Sequence, residues 1–188
     1  MVLFPNAKIN IGLYVTERRP DGFHNIETVF YPIDLRDILE IHEVKGSKGV
    51  CSFTSTGIPI DCAPEKNLVT RAYYLLAEEH GLPSVDVHLH KVIPYGAGLG
   101  GGSADAAFTL VGLNRLFSLG LSEGQLMAYA ERLGLFREEP TGVCFREGRV
   151  DGSRGFVVGC LLDGASETGS GSIHAGSLPG DCTACRYV

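Results

Sequence analysis

The chain has 188 residues, of which 44% are hydrophobic and 20% are charged, and its formal net charge is −6 at pH 7. This composition is typical of a globular domain with one sizeable core, and the negative charge argues against a nucleic-acid partner, which usually meets a basic face. No run approaches the roughly 18 consecutive apolar residues of a membrane span, and the first residues lack the pattern of a signal peptide, so we expect a cytoplasmic protein without a membrane partner. The oligomeric state stays open.

The first predicted element is a β-strand over residues 7–15, where apolar and polar side chains alternate. We expect one face of this strand to enter the core, the face that carries Ile9, Ile11, Leu13 and Val15. The other face presents an ammonium and a carboxamide two residues apart, on Lys8 and Asn10. A turn signal at residues 18–22 then predicts a hairpin that brings His24 back toward the first strand.

The next segments predict further strands and a helix. Residues 37–44 alternate as a strand does, and we expect residues 49–54 to be its partner. A helix is predicted to begin after an N-cap at Asn67 and to end at Gly81. Residues 85–93 then form another strand, which leads into a glycine-rich stretch.

The glycine-rich stretch, residues 94–107, reads Pro-Tyr-Gly-Ala-Gly-Leu-Gly-Gly-Gly-Ser-Ala-Asp-Ala-Ala. Five glycines lie in the seven residues 96–102, so successive N–H groups can converge on one point in front of a helix that we predict over residues 103–117. Such a point binds an anion, and a nucleotide phosphate is the anion that we expect.

The residues alone leave other interpretations of this loop open. It could be a flexible loop without a ligand, and residues 96–101 also satisfy the dinucleotide fingerprint G-x-G-x-x-G, which would make the protein a Rossmann-type oxidoreductase that binds NAD. That fingerprint requires a strand soon after the helix, whereas Ser122 and Gln125 here form the capping-box signature of another helix. No Gly-Lys-Ser/Thr closes the loop, which argues against a P-loop.

The character of the sequence changes beyond Gly134. Residues 135–188 carry ten of the 25 glycines and four of the six cysteines, and residues 164–180 offer little to bury. Cys182 and Cys185 have metal or redox spacing, but one such pair without a second argues only weakly for zinc or redox chemistry. We therefore divide the chain into an α+β domain over residues 1–134 and a Gly/Ser/Cys-rich tail over residues 135–188 that is poorly ordered or frame-shifted.

Four motifs in residues 1–134 resemble the GHMP kinase superfamily in content and order. They are residues 5–11 (Pro-Asn-Ala-Lys-Ile-Asn-Ile), 19–24 (Arg-Pro-Asp-Gly-Phe-His), 66–69 (Lys-Asn-Leu-Val) and 94–103 of the glycine loop. Within the superfamily they are similar to the branch that acts on 4-diphosphocytidyl-2-C-methyl-D-erythritol in non-mevalonate isoprenoid precursor synthesis. The resemblance implies the α+β fold of a GHMP kinase N-terminal domain, which is like domain 2 of ribosomal protein S5, and favours ATP over NAD.

The resemblance also implies a role for each motif. The reaction would transfer the γ-phosphate of ATP to the 2-hydroxyl of the small-molecule substrate. Lys8 matches the active-site lysine of the family, and Asn10, Phe23 and His24 match positions that hold the substrate. Ser103 would help to hold the Mg²⁺ of the nucleotide. The residues that would cradle ATP are Pro94, Tyr95, Gly96, Ala97, Gly98, Leu99, Gly100, Gly101, Gly102, Ser103 and Ala104.

The chain departs from the family pattern after Gly134. The family has its catalytic aspartate there, in an Asp-x-Pro motif, whereas Leu135, Phe136 and Arg137 follow here and the next aspartate is Asp151. Nothing in the tail resembles the second domain of the family. We therefore expect the second domain to be missing, an apolar surface to be uncovered, and the kinase to be truncated and impaired. The alternative is a catalytically dead fragment that binds nucleotide weakly. So abrupt a loss of the family pattern is typical of a frame shift or of a mispredicted gene end.

Overall fold

The computed structural model of the chain describes residues 1–18, 24–133, 144–150 and 153–159. The strands are β1 (Val2–Leu3), β2 (Asn6–Arg18), β3 (His24–Arg36), β4 (Ile38–Lys48), β5 (Cys51–Gly57), β6 (Pro83–Lys91), β7 (Cys144–Val150) and β8 (Ser153–Gly159). The helices are α1 (Leu68–His80), α2 (Gly101–Leu116) and α3 (Glu123–Arg132), and a short 3-10 helix (Pro64–Lys66) precedes α1. Strands and helices are mixed in chain order, so the predicted α+β class is confirmed.

A four-stranded sheet with the order β1-β4-β6-β5 carries one side of the core. Strand β6 lies between β4, to which it is antiparallel, and β5, to which it is parallel. The prediction that residues 49–54 pair with residues 37–44 is therefore wrong. Parallel strands need a long crossover, and α1 supplies it between β5 and β6. Strands β4 and β5 are adjacent in the sequence and are expected to pair as a hairpin. Strand β6, which comes later in the chain, lies between them in the sheet.

Helices α1, α2 and α3 begin and end largely where local signals place them. The side chain of Asn67 caps α1 by accepting a hydrogen bond from the N–H of Val69, and Gly81 ends the helix in the left-handed conformation. Ser122 and Gln125 form the predicted capping box of α3. Helix α2 follows the glycine loop and packs against the sheet, where it contributes many buried side chains. These include Ala104, Ala106, Ala107, Phe108, Leu110, Val111 and Leu113.

Strands β2 and β3 form a separate antiparallel hairpin, as predicted, in which Arg18 pairs with His24 and Lys8 with Pro32. The apolar face that we expect to enter the core is exposed instead: Leu13 keeps 56% of its surface and Val15 61%. That prediction is wrong for the described residues. Alternation identifies which side chains share a face, but only a neighbouring element can bury that face, and the four-stranded sheet does not reach it.

Strands β7 and β8 pair in an antiparallel hairpin inside the range assigned to the tail. Several sequence predictions fall outside the described residues: residues 19–22 of the predicted turn at 18–22, the stretch 164–180 and the pair Cys182 and Cys185. Among the helices that the structure describes, none is long and apolar enough to cross a membrane.

Candidate nucleotide-binding site

The glycine loop, residues 94–100, leaves the end of β6 and leads directly into α2. Gly96, Gly98 and Gly100 have φ angles of 70°, 70° and 72°, a backbone conformation that L side chains rarely adopt. Gly100 is the N-cap of α2, and no side chain caps this helix. The first N–H groups of α2 therefore lack a side-chain acceptor and lie at the positive end of the helix dipole. This arrangement favours an anion in front of α2.

Gly100 and Gly101 bring two lysines close to the backbone of the loop. A Cβ on Gly100 would lie 3.3 Å from both Cγ and Cε of Lys8. A Cβ on Gly101 would lie 2.9 Å from Nζ of Lys91 and 2.8 Å from Cγ2 of Ile93. Glycine is favoured at position 101 because a methyl group would collide with side chains of Ile93 and Lys91 that would have to shift.

Lys8 lies beside this loop, although it comes from the start of β2. It is 5% exposed, and its backbone N–H donates to the carbonyl oxygen of Leu99 at 3.0 Å. Its Nζ donates to Oδ1 of Asn10 at 2.7 Å and lies 5.6 Å from the centre of the Phe30 ring. Asn10 in turn donates through Nδ2 to Oγ1 of Thr28 at 3.1 Å. The structure thus brings Lys8, Asn10 and the glycine loop together, and the hydrogen bonds of Asn10 orient the ammonium group.

The backbone of His24 lies apart from this group. His24 begins β3 at the turn end of the hairpin, opposite Arg18, whereas the partner of Lys8 is Pro32. His24 lies eight positions before Pro32 in the chain, a span of about 26 Å along an extended strand. Phe23 lies outside the described residues.

A buried charge cluster beneath the loop was missed by the sequence predictions. Lys91 donates through Nζ to Oδ2 of Asp37 and, at 2.8 Å, to Oδ2 of Asp105. Oδ1 of Asp37 accepts hydrogen bonds from the N–H groups of Val92, at 2.5 Å, and Ile93, at 2.8 Å. The cluster therefore links the end of β6, the junction of β3 with β4, and the second turn of α2.

One sequence signal could have revealed the cluster. Lys91 falls on the same face of β6 as Val85, Val87 and Leu89, all of which are buried. A lysine on the core-facing register of a strand must find buried partners, because an unpaired buried charge is very costly. The sequence does not say which carboxylates meet it, because Asp37 and Asp105 lie far from each other in the chain.

The two carboxylates of the cluster, those of Asp105 and Asp37, have different electrostatic environments. Burial raises the pKa of Asp105 to about 7, the attraction of Lys91 opposes this rise, and repulsion by Asp37 adds to it. Oδ1 of Asp105 is buried without a hydrogen-bond partner among the described residues. Asp37 accepts three hydrogen bonds in all, so it is the better-stabilised carboxylate of the two.

The α+β fold and the glycine loop in front of α2 are the features of a GHMP kinase N-terminal domain. The family model described as "GHMP kinases N terminal domain" matches residues 67–144, so this part of the chain is a GHMP kinase N-terminal domain. This match disfavours the dinucleotide-binding interpretation of residues 96–101.

Two bacterial relatives of the chain carry the same enzyme name. The chain is 57% identical over 134 residues to the 4-diphosphocytidyl-2-C-methyl-D-erythritol kinase of Bacteroides fragilis, a match that covers 71% of this chain and 49% of the relative. It is 52% identical over 153 residues to the enzyme of the same name from Bacteroides thetaiotaomicron, covering 79% of this chain and 55% of the relative. The chain therefore spans about half the length of the curated relatives it matches.

A solved structure agrees with these relatives. It is a crystal structure of 4-(cytidine 5'-diphospho)-2C-methyl-D-erythritol kinase, and it is 39% identical in sequence. The two structures superpose with a TM-score of 0.60 over 71% of this chain and 46% of the other. The similarity therefore extends from sequence to fold.

Proposed function

We propose that residues 1–134 are the ATP-binding part of a kinase that phosphorylates the 2-hydroxyl of 4-diphosphocytidyl-2-C-methyl-D-erythritol. The names of the relatives support the substrate. The observation that carries the proposal is the position of Lys8, whose N–H bonds to Leu99 of the glycine loop and whose Nζ is oriented by Asn10. An ammonium beside an anion-binding loop suits phosphoryl transfer, which depends mainly on positioning and charge stabilisation.

The glycine loop fits the triphosphate of ATP. Three loop glycines have positive φ angles, the N-terminus of α2 has no side-chain cap, and the ideal Cβ positions of Gly96 and Gly98 meet nothing within 4 Å. We propose that residues 94–104 cradle the phosphates through backbone N–H groups. The aromatic ring of Tyr95, 77% exposed, would border the nucleotide.

We also propose a site for the magnesium ion that accompanies ATP. Mg²⁺ takes oxygen ligands, keeps several waters, and usually binds through phosphates plus one or two protein groups. The hydroxyl of Ser103, in the first turn of α2, is such a group beside the proposed phosphate position. When bound, the ion would neutralise part of the phosphate charge.

In the proposed reaction, the 2-hydroxyl oxygen bonds to the γ-phosphorus, the bond from that phosphorus to the β–γ bridging oxygen breaks, and ADP leaves. Lys8 would stabilise the negative charge on the reacting oxygens, and Asn10 would orient Lys8. Phe23 and His24 would hold the cytosine of the substrate. The hydroxyl proton needs a base, and residues 135–150 contain no aspartate to supply the one expected after Gly134.

That departure favours a second candidate function, a fragment that binds nucleotide without turnover. The loss of a general base costs about 10²- to 10⁴-fold in rate. We therefore propose that residues 1–134 bind ATP and that turnover by this chain is low. The cytoplasmic location and the boundary at residue 134 between the domain and the tail stay predictions.

One set of measurements on the purified chain separates these functions. ADP release that depends on the methylerythritol substrate would support the kinase. Binding of ATP in an NMR titration, with perturbed amide shifts in residues 94–104 but no ADP release, would support the non-catalytic fragment. A rise in the melting temperature with NAD but not with ATP would overturn both in favour of an oxidoreductase.

A further inference from the structure

Asp37 is a fully buried carboxylate at the junction of β3 and β4, and the proposed reaction gives it no role. Its side chain is 0% exposed, and its backbone N–H donates to the carbonyl oxygen of Pro5 at 2.9 Å. Pro5 lies three residues before Lys8, immediately before β2, the strand that carries the lysine. Asp37 is therefore fixed to the same segment as Lys8.

The side chain of Asp37 bonds directly to the residues before the glycine loop and is linked through Lys91 to the helix after it. Its Oδ1 accepts the N–H groups of Val92 and Ile93, which directly precede the loop. Its Oδ2 accepts Nζ of Lys91, and the same Nζ donates to Asp105 in α2, which follows the loop. Asp37 thus connects three parts of the site: its carboxylate binds the residues before the loop, Lys91 links that carboxylate to the helix after the loop, and its backbone N–H binds Pro5, just before the strand that carries Lys8.

The loop itself has little support of its own. Residues 94–98 are exposed, and the loop is joined to β2 through Lys8 and Leu99 and to α2 through Ala104 and Gly100. Its shape therefore depends on where its two ends are held. The N–H groups of Val92 and Ile93 lie just beyond β6, so they need acceptors outside its strand pairing. A carboxylate accepts hydrogen bonds more strongly than a neutral group does.

We propose that Asp37 is a positioning residue, which holds both ends of the glycine loop and the strand of Lys8 in the one arrangement that binds ATP. This role rests on the proposed function, because it requires that ATP binds to the loop. Stability alone is a weak reason for the cluster, since apolar replacements of buried ion pairs are often equally stable. The direct bonds to the residues before the loop, together with the link through Lys91 to α2 after it, are what assign Asp37 to the phosphate site.

The test compares three variants by NMR titration with ATP in excess Mg²⁺, at a temperature where each is folded. Asp37→Asn keeps the size of the side chain but removes the charge that Lys91, Val92 and Ile93 share. Asp105→Asn also removes a partner of Lys91 but leaves Asp37 bonded to Val92 and Ile93. Tyr73→Phe removes the hydrogen bond from a buried tyrosine to the carbonyl oxygen of Pro83 and serves as the control for lost stability.

We expect the Kd for ATP to rise about tenfold in Asp37→Asn, clearly less in Asp105→Asn, and not at all in Tyr73→Phe, because imprecise positioning costs binding and rate. A lower melting temperature with an unchanged Kd in Asp37→Asn would overturn the positioning role. An equal rise in Asp105→Asn would overturn it as well. Failure of the unaltered chain to bind ATP would overturn the proposed function together with this inference.

Amide hydrogen exchange on the unaltered chain tests the same idea without a variant, should Asp37→Asn not fold. The N–H groups of Val92 and Ile93 should be protected as strongly as that of Val87 in the centre of β6, whereas those of Gly96 and Gly98 should exchange rapidly. Exchange of Val92 and Ile93 at the rate of the loop glycines would show that Asp37 does not hold the loop, and would overturn the proposal.

Discussion

The backbone N–H of Lys8 donates to the carbonyl oxygen of Leu99 at 3.0 Å, and this bond joins the first long strand to the glycine loop. The two residues lie far apart in the chain, yet each fixes the position of the other. The ammonium of Lys8 is oriented separately, by Asn10. The backbone of Lys8 therefore helps to position the glycine loop, whereas its ammonium group is available to interact with a bound phosphate.

Replacement of Lys8 should separate binding from turnover. In Lys8→Ala the backbone bond to Leu99 remains, so we expect the Kd for ATP to change less than about threefold. Any substrate-dependent ADP release should fall by about 10²-fold or more, because charge stabilisation in the transition state is lost. Lys45→Ala, at an exposed position of β4, is the matched control. Equal rates in Lys8→Ala and the unaltered chain would remove Lys8 from the mechanism.

Gly101 and Gly102 should respond oppositely to the same substitution. Gly101→Ala places a methyl group 2.8 Å from Cγ2 of Ile93 and should lower the free energy of unfolding by about 1–3 kcal/mol. Gly102→Ala meets nothing nearer than Leu68 Cδ1 at 3.9 Å and should be neutral or stabilising by up to about 1 kcal/mol, because alanine favours helix. Urea denaturation measures both, and equal stability of the two variants would contradict the close approach at Gly101.

The exposed face of β2 predicts that Ile11 matters little for folding. Ile11→Thr should change the free energy of unfolding by no more than about 0.5 kcal/mol, because the side chain is already 53% exposed. It should also reduce aggregation, measured by light scattering, because it breaks an uncovered apolar surface.

The same change at a buried isoleucine is the matched control. Ile41→Thr, at a fully buried position, should cost about 2–4 kcal/mol, because it leaves a cavity and buries a hydroxyl. A comparable loss in Ile11→Thr would mean that the face of β2 is covered in solution.

The thiol of Cys51 should react slowly with alkylating agents. Burial and the nearby charge of Asp86 raise its pKa to about 11, and only the thiolate reacts with alkylating agents. At pH 8 we expect iodoacetamide to label Cys51 at least about tenfold more slowly than the exposed Cys62, as followed by peptide mass spectrometry. Because the raised pKa lies above this pH, the rate at Cys51 should continue to climb as the pH increases toward 11. Equal labelling of the two cysteines would contradict the burial of Cys51.

Local sequence was sufficient for most secondary structure, because caps, turns and periodicity act over a few residues. Asn67, Gly81 and the pair Ser122 and Gln125 are used as predicted, and the glycine loop lies between β6 and α2. The pairing of β5 was not predictable in this way, since strand neighbours are chosen by long-range packing. The exposure of Leu13 and Val15 has the same origin, because a pattern defines a face and another element must bury it.

The sequence by itself determined the family, the order of the elements and the candidate residues Lys8 and Asn10 with the glycine loop, because these are encoded in short contiguous motifs. Only the tertiary structure decided that Asp37, Lys91 and Asp105 meet beneath that loop. Lys91 comes from β6, Asp105 from α2, and Asp37 from the junction between β3 and β4. The high cost of burying a charge makes such residues find one another only when the sheet and α2 have packed together.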